Sequence, residues 1–124
     1  MAYTDCVTWD VEYTDQFEAW WDGLSDYDQD QIGAAVSALE NRGPVQGRPL
    51  VDTVTSSRYG NMKELRPRGG NLRILFAFDP RRTAILLIGG DKTNDWRGFY
   101  AKMIPIADQL YTEHLDTLRR EGML

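Results

Sequence analysis

The 124-residue chain is 42% hydrophobic and 27% charged, with 11 glycines and 5 prolines, which describes one ordinary globular domain spanning residues 1–124. One cysteine and one histidine exclude an internal disulfide and a zinc finger, and no apolar run approaches the roughly 20 residues of a membrane span. The opening MAYTDCVTWD lacks a signal-peptide pattern, so a cytoplasmic protein with no membrane partner is expected. The net charge of -5 hides an uneven distribution. Residues 1–57 hold two basic and eleven acidic groups, whereas residues 58–102 hold ten basic and four acidic ones. Such asymmetry concerns partners: one face can attract phosphate while another repels it.

In chain order, Val7, Trp9, Val11 and Tyr13 alternate with Thr8, Asp10 and Glu12, a period-2 strand with one wet face. Thr14 reads as a helix N-cap, and Phe17, Trp20, Trp21 and Leu24 form an apolar stripe behind it. Ser25 with Asp28 opens a second helix carrying Ile32, Ala35, Val36 and Leu39, stopped at Asn41-Arg42-Gly43-Pro44. Residues 43–57 hold two glycines and two prolines and read as a loop. A three-strand meander follows, over 59–66, 71–78 and 83–88, with Gly89-Gly90 ending its last strand. Asn94 or Asp95 caps a final helix, in which Pro105 either kinks the chain or starts a second helix. The four tryptophans read as core or helix-packing residues, and Cys6 as a small apolar filler. His114 is expected to cap the far end of a surface helix. The order is that of a compact α+β domain: an N-terminal strand and helical pair, an antiparallel three-strand meander, and a C-terminal helix.

The cations of the middle segment are organised. Lys63 shares a strand face with Leu65, while Met62 and Glu64 share the other; Arg73 is opposite in parity to Leu72 and Ile74. Arg66 and Lys92 lie at strand ends, and antiparallel neighbours bring such side chains within reach. A sheet face with several cations is costly as core and useful as a phosphate cradle.

Lys63-Glu64-Leu65-Arg66, Arg73-Ile74-Leu75-Phe76, Leu87-Ile88-Gly89-Gly90-Asp91-Lys92-Thr93 and Phe99-Tyr100 with Ile104-Pro105-Ile106-Ala107 together resemble the phage Gp49-like, HigB-like branch of the RelE/ParE toxin superfamily. The resemblance covers about half the chain by motif and implies a RelE-like fold. It also implies the toxin of a type II toxin-antitoxin pair, a ribosome-dependent mRNA endoribonuclease inhibiting translation. In that chemistry the ribose 2′-hydroxyl attacks the adjacent phosphate, with no metal and no cofactor. The implied partners are a helix-turn-helix antitoxin (HigA-like) encoded nearby, the ribosome and mRNA.

Carried over position by position, the resemblance implies catalytic roles for Arg73, Lys63, Lys92 and Tyr100, with Arg73 foremost in stabilising phosphate. Arg66, Arg68, Arg81 and Arg82 are expected to bind RNA, the last three from turns. Two alternatives stay open on the sequence: a non-catalytic phage-type or regulatory binding module of the same fold, and an RNase that needs no ribosome.

Overall fold

The computed structural model describes residues 8–124, so Cys6 and Val7 lie outside the described residues. The first strand, β1 (Val11–Tyr13), is shorter than the alternation suggested. Thr14 ends it by turning its hydroxyl to two tasks: Oγ1 accepts from the Phe17 amide at 3.0 Å and donates to the Leu87 carbonyl at 2.7 Å. The same side chain therefore caps α1 (Asp15–Asp22) and ties it to the sheet. Ser25 caps α2 (Asp26–Arg42) through the Asp28 amide, and a 3₁₀ turn at Gly43–Val45 follows.

Residues 43–57 are not all loop. Val51–Thr53 form β2, which pairs antiparallel with β3 (Lys63–Leu65). The strand escapes a composition reading because it is three residues long and follows Pro49. β4 (Leu72–Phe78) and β5 (Ala84–Asp91) complete the sheet, whose order is β1-β5-β4-β3-β2. Strands β2 to β5 form an antiparallel meander of four strands rather than three, and β1 lies parallel on the outer edge of β5.

Gly89 and Gly90 do not end β5; the strand runs through both. A side chain at Gly89 would occupy the Trp20 ring, and one at Gly90 would sit 2.8 Å from Phe99. The two glycines thus let α1 press on one face of the strand and the last helix on the other. A bulge between Leu75 and Phe76 in the β4–β5 register inserts Leu87, which turns toward the same side as Ile88.

Asp95 caps the final helix, α3 (Trp96–Arg120), by accepting from the Gly98 amide at 2.9 Å. Pro105 starts no second helix; it sits inside one continuous helix, on the exposed side. There water can serve the carbonyl that proline leaves without a donor.

The sheet is covered on both faces, and its two cores follow strand parity. Met62, Leu75, Ala77, Ile85 and Leu87 face Phe99, Met103, Ile104 and Ala107 of α3. Leu65, Leu72, Ile74, Phe76 and Leu86 face Phe17, Ile32, Ala35 and Leu39 of α1 and α2. The arrangement is α+β, a five-stranded mixed sheet with helices on both faces. No helix among the described residues is long and apolar enough to cross a membrane.

Candidate active site

On the α3 side of the sheet, a groove of about 570 Å³ runs between α3 and the segment leaving β2. Thr53–Ser56 form one wall; Trp96, Tyr100 and Ile104 of α3 form the other. Glu64 of β3, Arg66 just beyond it, and Lys92 just beyond β5 complete the lining. Register explains the convergence. Glu64 pairs with Leu75 across β3–β4, so it shares the α3 face, and Arg66 has the same parity two residues on.

The groove is built around a carboxylate. Only 4% of the Glu64 side chain is exposed, and its Oε1 accepts from Arg66 Nε at 2.7 Å. Arg66 reaches Asp52 Oδ2 as well, at 3.1 Å. The hydrogen bond to Glu64, reinforced by both carboxylates, raises the Arg66 pKa and keeps the guanidinium charged. Burial and the neighbouring Glu64 carboxylate push the Tyr100 phenol up to about 12, although Arg73 and Arg66 oppose this. Near neutrality the Tyr100 phenol therefore keeps its proton.

The predicted site residues divide. Arg66, Lys92 and Tyr100 line the groove together. Arg73 stands behind it: its side chain is 13% exposed, its Nη1 donates to the Leu72 carbonyl at 2.7 Å, and its Nε lies 3.7 Å from Glu64 Oε1. Lys63 is not brought to the groove. It pairs with Phe76, so it belongs to the sheet face turned toward α1 and α2. Arg68 lies in the exposed turn after β3 and borders a separate hollow.

Arg81 and Arg82 sit in the β4–β5 turn, at the opposite end of β4 from Arg73, and serve the fold there. Arg81 bonds Glu12 at 2.8 and 3.3 Å and Asp79 at 2.9 Å, and Arg82 lies 4.9 Å over the Trp9 ring. His114 is not a terminal cap. It stands in the interior of α3, where Nε2 and the fully buried Asp79 Oδ2 are 2.8 Å apart.

One groove residue, Glu64, was not singled out from the sequence. Glu64 carries a readable signal, an acid in a basic strand at the inward parity of Met62. Trp96, for which the sequence left core, helix packing and groove edge open, is 57% exposed at the groove edge because it occupies the first residue of α3. Among the described residues no three His, Cys, Asp or Glu side chains gather as a metal site requires.

Comparison with known proteins gives the class. Residues 19–112 match the family described as Phage derived protein Gp49-like (DUF891), and the chain belongs to that family. It is 52% identical over 94 residues to the candidate toxin HigB3 of Mycobacterium tuberculosis (strain ATCC 25618 / H37Rv), covering 76% of this chain and 82% of that one. It is 45% identical over 114 residues to the candidate toxin HigB2 of the same organism, covering 90% of this chain but 56% of the relative's length. In structure it is similar to RelE in the archaeal RelE-RelB complex of Pyrococcus horikoshii, with a TM-score of 0.55 at 17% identity over 70% of this chain and 98% of that one. A free double mutant of E. coli RelE gives a TM-score of 0.56 at 9% identity, over 90% of this chain and 98% of that one.

Proposed function

We propose that the protein is the toxin of a type II toxin-antitoxin pair, a ribosome-dependent endoribonuclease that cuts mRNA. The observation that carries this reading is the groove itself, where Arg66, Lys92 and Tyr100 surround the Glu64 carboxylate. Each step of metal-independent RNA cleavage then has a group suited to it.

Glu64 accepts the proton of the ribose 2′-hydroxyl, a role a carboxylate suits and a phenol pushed up to about 12 does not. The 2′-oxygen forms a bond to phosphorus while the bond to the 5′-oxygen breaks, leaving a 2′,3′-cyclic phosphate and a 5′-hydroxyl. Arg66 and Lys92 stabilise the charge that develops on the phosphorane oxygens. Tyr100 protonates the leaving 5′-oxygen. Arg73 touches no reacting atom in this scheme; it orients Glu64 from behind.

Similarity to HigB relatives and to a RelE solved with RelB supports an antitoxin as partner, and we assign a helix-turn-helix (HigA-like) protein to that role. The test is inducible expression in bacteria of wild type and Glu64→Gln, with 5′-end mapping of transcripts. In-frame cuts within translated mRNA for wild type alone are expected. Intact mRNA and normal growth with soluble, folded wild type would reject the nuclease in favour of a non-catalytic binding module. Equal cutting of naked transcripts would reject dependence on the ribosome.

A further inference from the structure

A second hollow, of about 590 Å³, opens where α2, the chain before β2 and the turn after β3 meet. Gln31 and Ala34 of α2, Gln46, Arg66 and Arg68 are among its lining residues. Arg66 lines both this hollow and the groove, so the two are joined across one side chain. The groove lies on the α3 face and the hollow against α2. A ligand occupying both would turn around the β2 edge of the sheet.

The chemistry of the second hollow differs from that of the first. Each glutamine amide offers both a donor and an acceptor, the pairing that reads a base edge. Gln46 uses its amide only in a long 3.3 Å bond to the next carbonyl. Ala34, Ala35 and Leu50 supply apolar surface for a ring, and the volume falls in the roughly 300–1,000 Å³ typical of ligand sites. Arg68 stands exposed at the mouth.

Beyond it is Tyr27, one helical turn before Gln31. Its phenol rests on Gly69, which adopts φ +88, and its ring remains 57% exposed. From Trp96 to Tyr27 the surface thus carries an exposed aromatic at each end and two arginines, Arg66 and Arg68, between them. That is the pattern by which proteins hold single-stranded RNA with its bases splayed out. A duplex, whose bases are stacked inward, has nothing to place in such a hollow.

We infer that the hollow receives a nucleobase of the strand whose scissile phosphate lies in the groove. Gln31 and Gln46 read its edge while Arg68 holds the adjoining phosphate. The inference rests on the nuclease reading and extends it from the reaction to the choice of sequence.

The test measures fluorescence anisotropy of labelled, uncleavable 2′-O-methyl RNA. Hexamers of each single base and a dinucleotide are compared on wild type, Ala34→Trp and Gln31→Ala. Ala34 is exposed, so tryptophan there fills the hollow without entering the core. Hexamer binding should weaken about tenfold in Ala34→Trp, the dinucleotide should bind as before, and Gln31→Ala should flatten the preference among bases. No hexamer binding by wild type, or equal hexamer affinity in the two proteins, would overturn the inference. Should Ala34→Trp fail to fold, an unchanged base preference in Gln31→Ala overturns it. Transcript mapping is read separately: wild type that binds hexamers but leaves mRNA intact defeats the nuclease reading and keeps the base pocket.

Discussion

Arg73 points a buried Nε at Glu64 across 3.7 Å, too far for a hydrogen bond, and among the described residues that nitrogen has no hydrogen-bond partner. The pair is asymmetric. Glu64 keeps Arg66 at 2.7 Å if Arg73 is removed, whereas among the described residues Arg73 has no other carboxylate within 4 Å if Glu64 is removed, Asp91 acting on it only from farther away. Arg73→Ala should therefore change stability by no more than about 1 kcal/mol, since it also removes an unsatisfied donor. Glu64→Ala should cost about 3 kcal/mol by stranding a buried charge. Denaturant unfolding of the two variants checks the order; equal losses would refute it.

Catalysis should rank the two residues in the same order. Glu64→Gln removes the base and is expected to slow mRNA cleavage by about 10²–10⁴-fold. Arg73→Ala should slow it less, with Arg73→Lys restoring part of the loss by returning a cation behind Glu64. Lys63→Ala, on the other face of the sheet, should cleave as wild type does. Single-turnover rates on translating ribosomes provide the comparison.

Tyr100 supplies a pH prediction. Burial and the Glu64 carboxylate push its phenol up to about 12 in the folded chain, from 10.0 when unperturbed. Between those values the folded state holds a proton that the unfolded state has released, so stability falls as pH rises above about 10. Tyr100→Phe should flatten that alkaline limb in thermal melts and should lower cleavage across the neutral range, where the lost group is a proton donor.

At the other end of α3, burial alone would raise Asp79, but hydrogen bonds from His114, Arg81 and the Thr83 amide outweigh it and hold the carboxyl below its ordinary 3.8. The sign follows: the stabilisation is complete above 3.8 and is lost as pH falls through the folded value. Asp79→Asn should have a flatter acid limb. His114→Ala should cost about 1–3 kcal/mol by withdrawing a partner from a buried carboxylate. Because 14 residues of helix separate it from Tyr100, about 21 Å, cleavage should be unchanged.

The wall of the groove rests on a third carboxylate. Asp108 of α3 accepts from Ser57 Oγ and from the Arg58 amide, the latter at 3.0 Å, which straps the chain after β2 onto α3. In Asp108→Ala, hydrogen exchange at the Arg58 amide should accelerate about tenfold, the kinetic equivalent of one lost charge-assisted bond. Unchanged exchange would mean that Asp108 does not hold this wall.

Much of this architecture was legible before the structure. Long periodic stretches announced β4, the stripe of α3 and the helical pair, and the Thr14, Ser25 and Asp95 caps use local chemistry readable in any chain. β2 was not legible, because three residues acquire strand character only from the β3 partner that pairs with them. Lys63 shows the limit at the site. Its parity with Leu65 was plain, but which face of β3 meets α3 depends on the Glu64–Leu75 register. His114 shows the same limit over a longer span, since its partner lies 35 residues away.

Topology also sets a timetable. Val11 pairs with Ala84 and Thr14 donates to Leu87, so the first strand has no seat until residue 87 has been synthesised. The groove waits longer, because Lys92 and Tyr100 come later still. Contacts so distant in sequence form late and slowly. A growing chain therefore carries no assembled groove until Tyr100 and Ile104 have been added and α3 can close over the sheet.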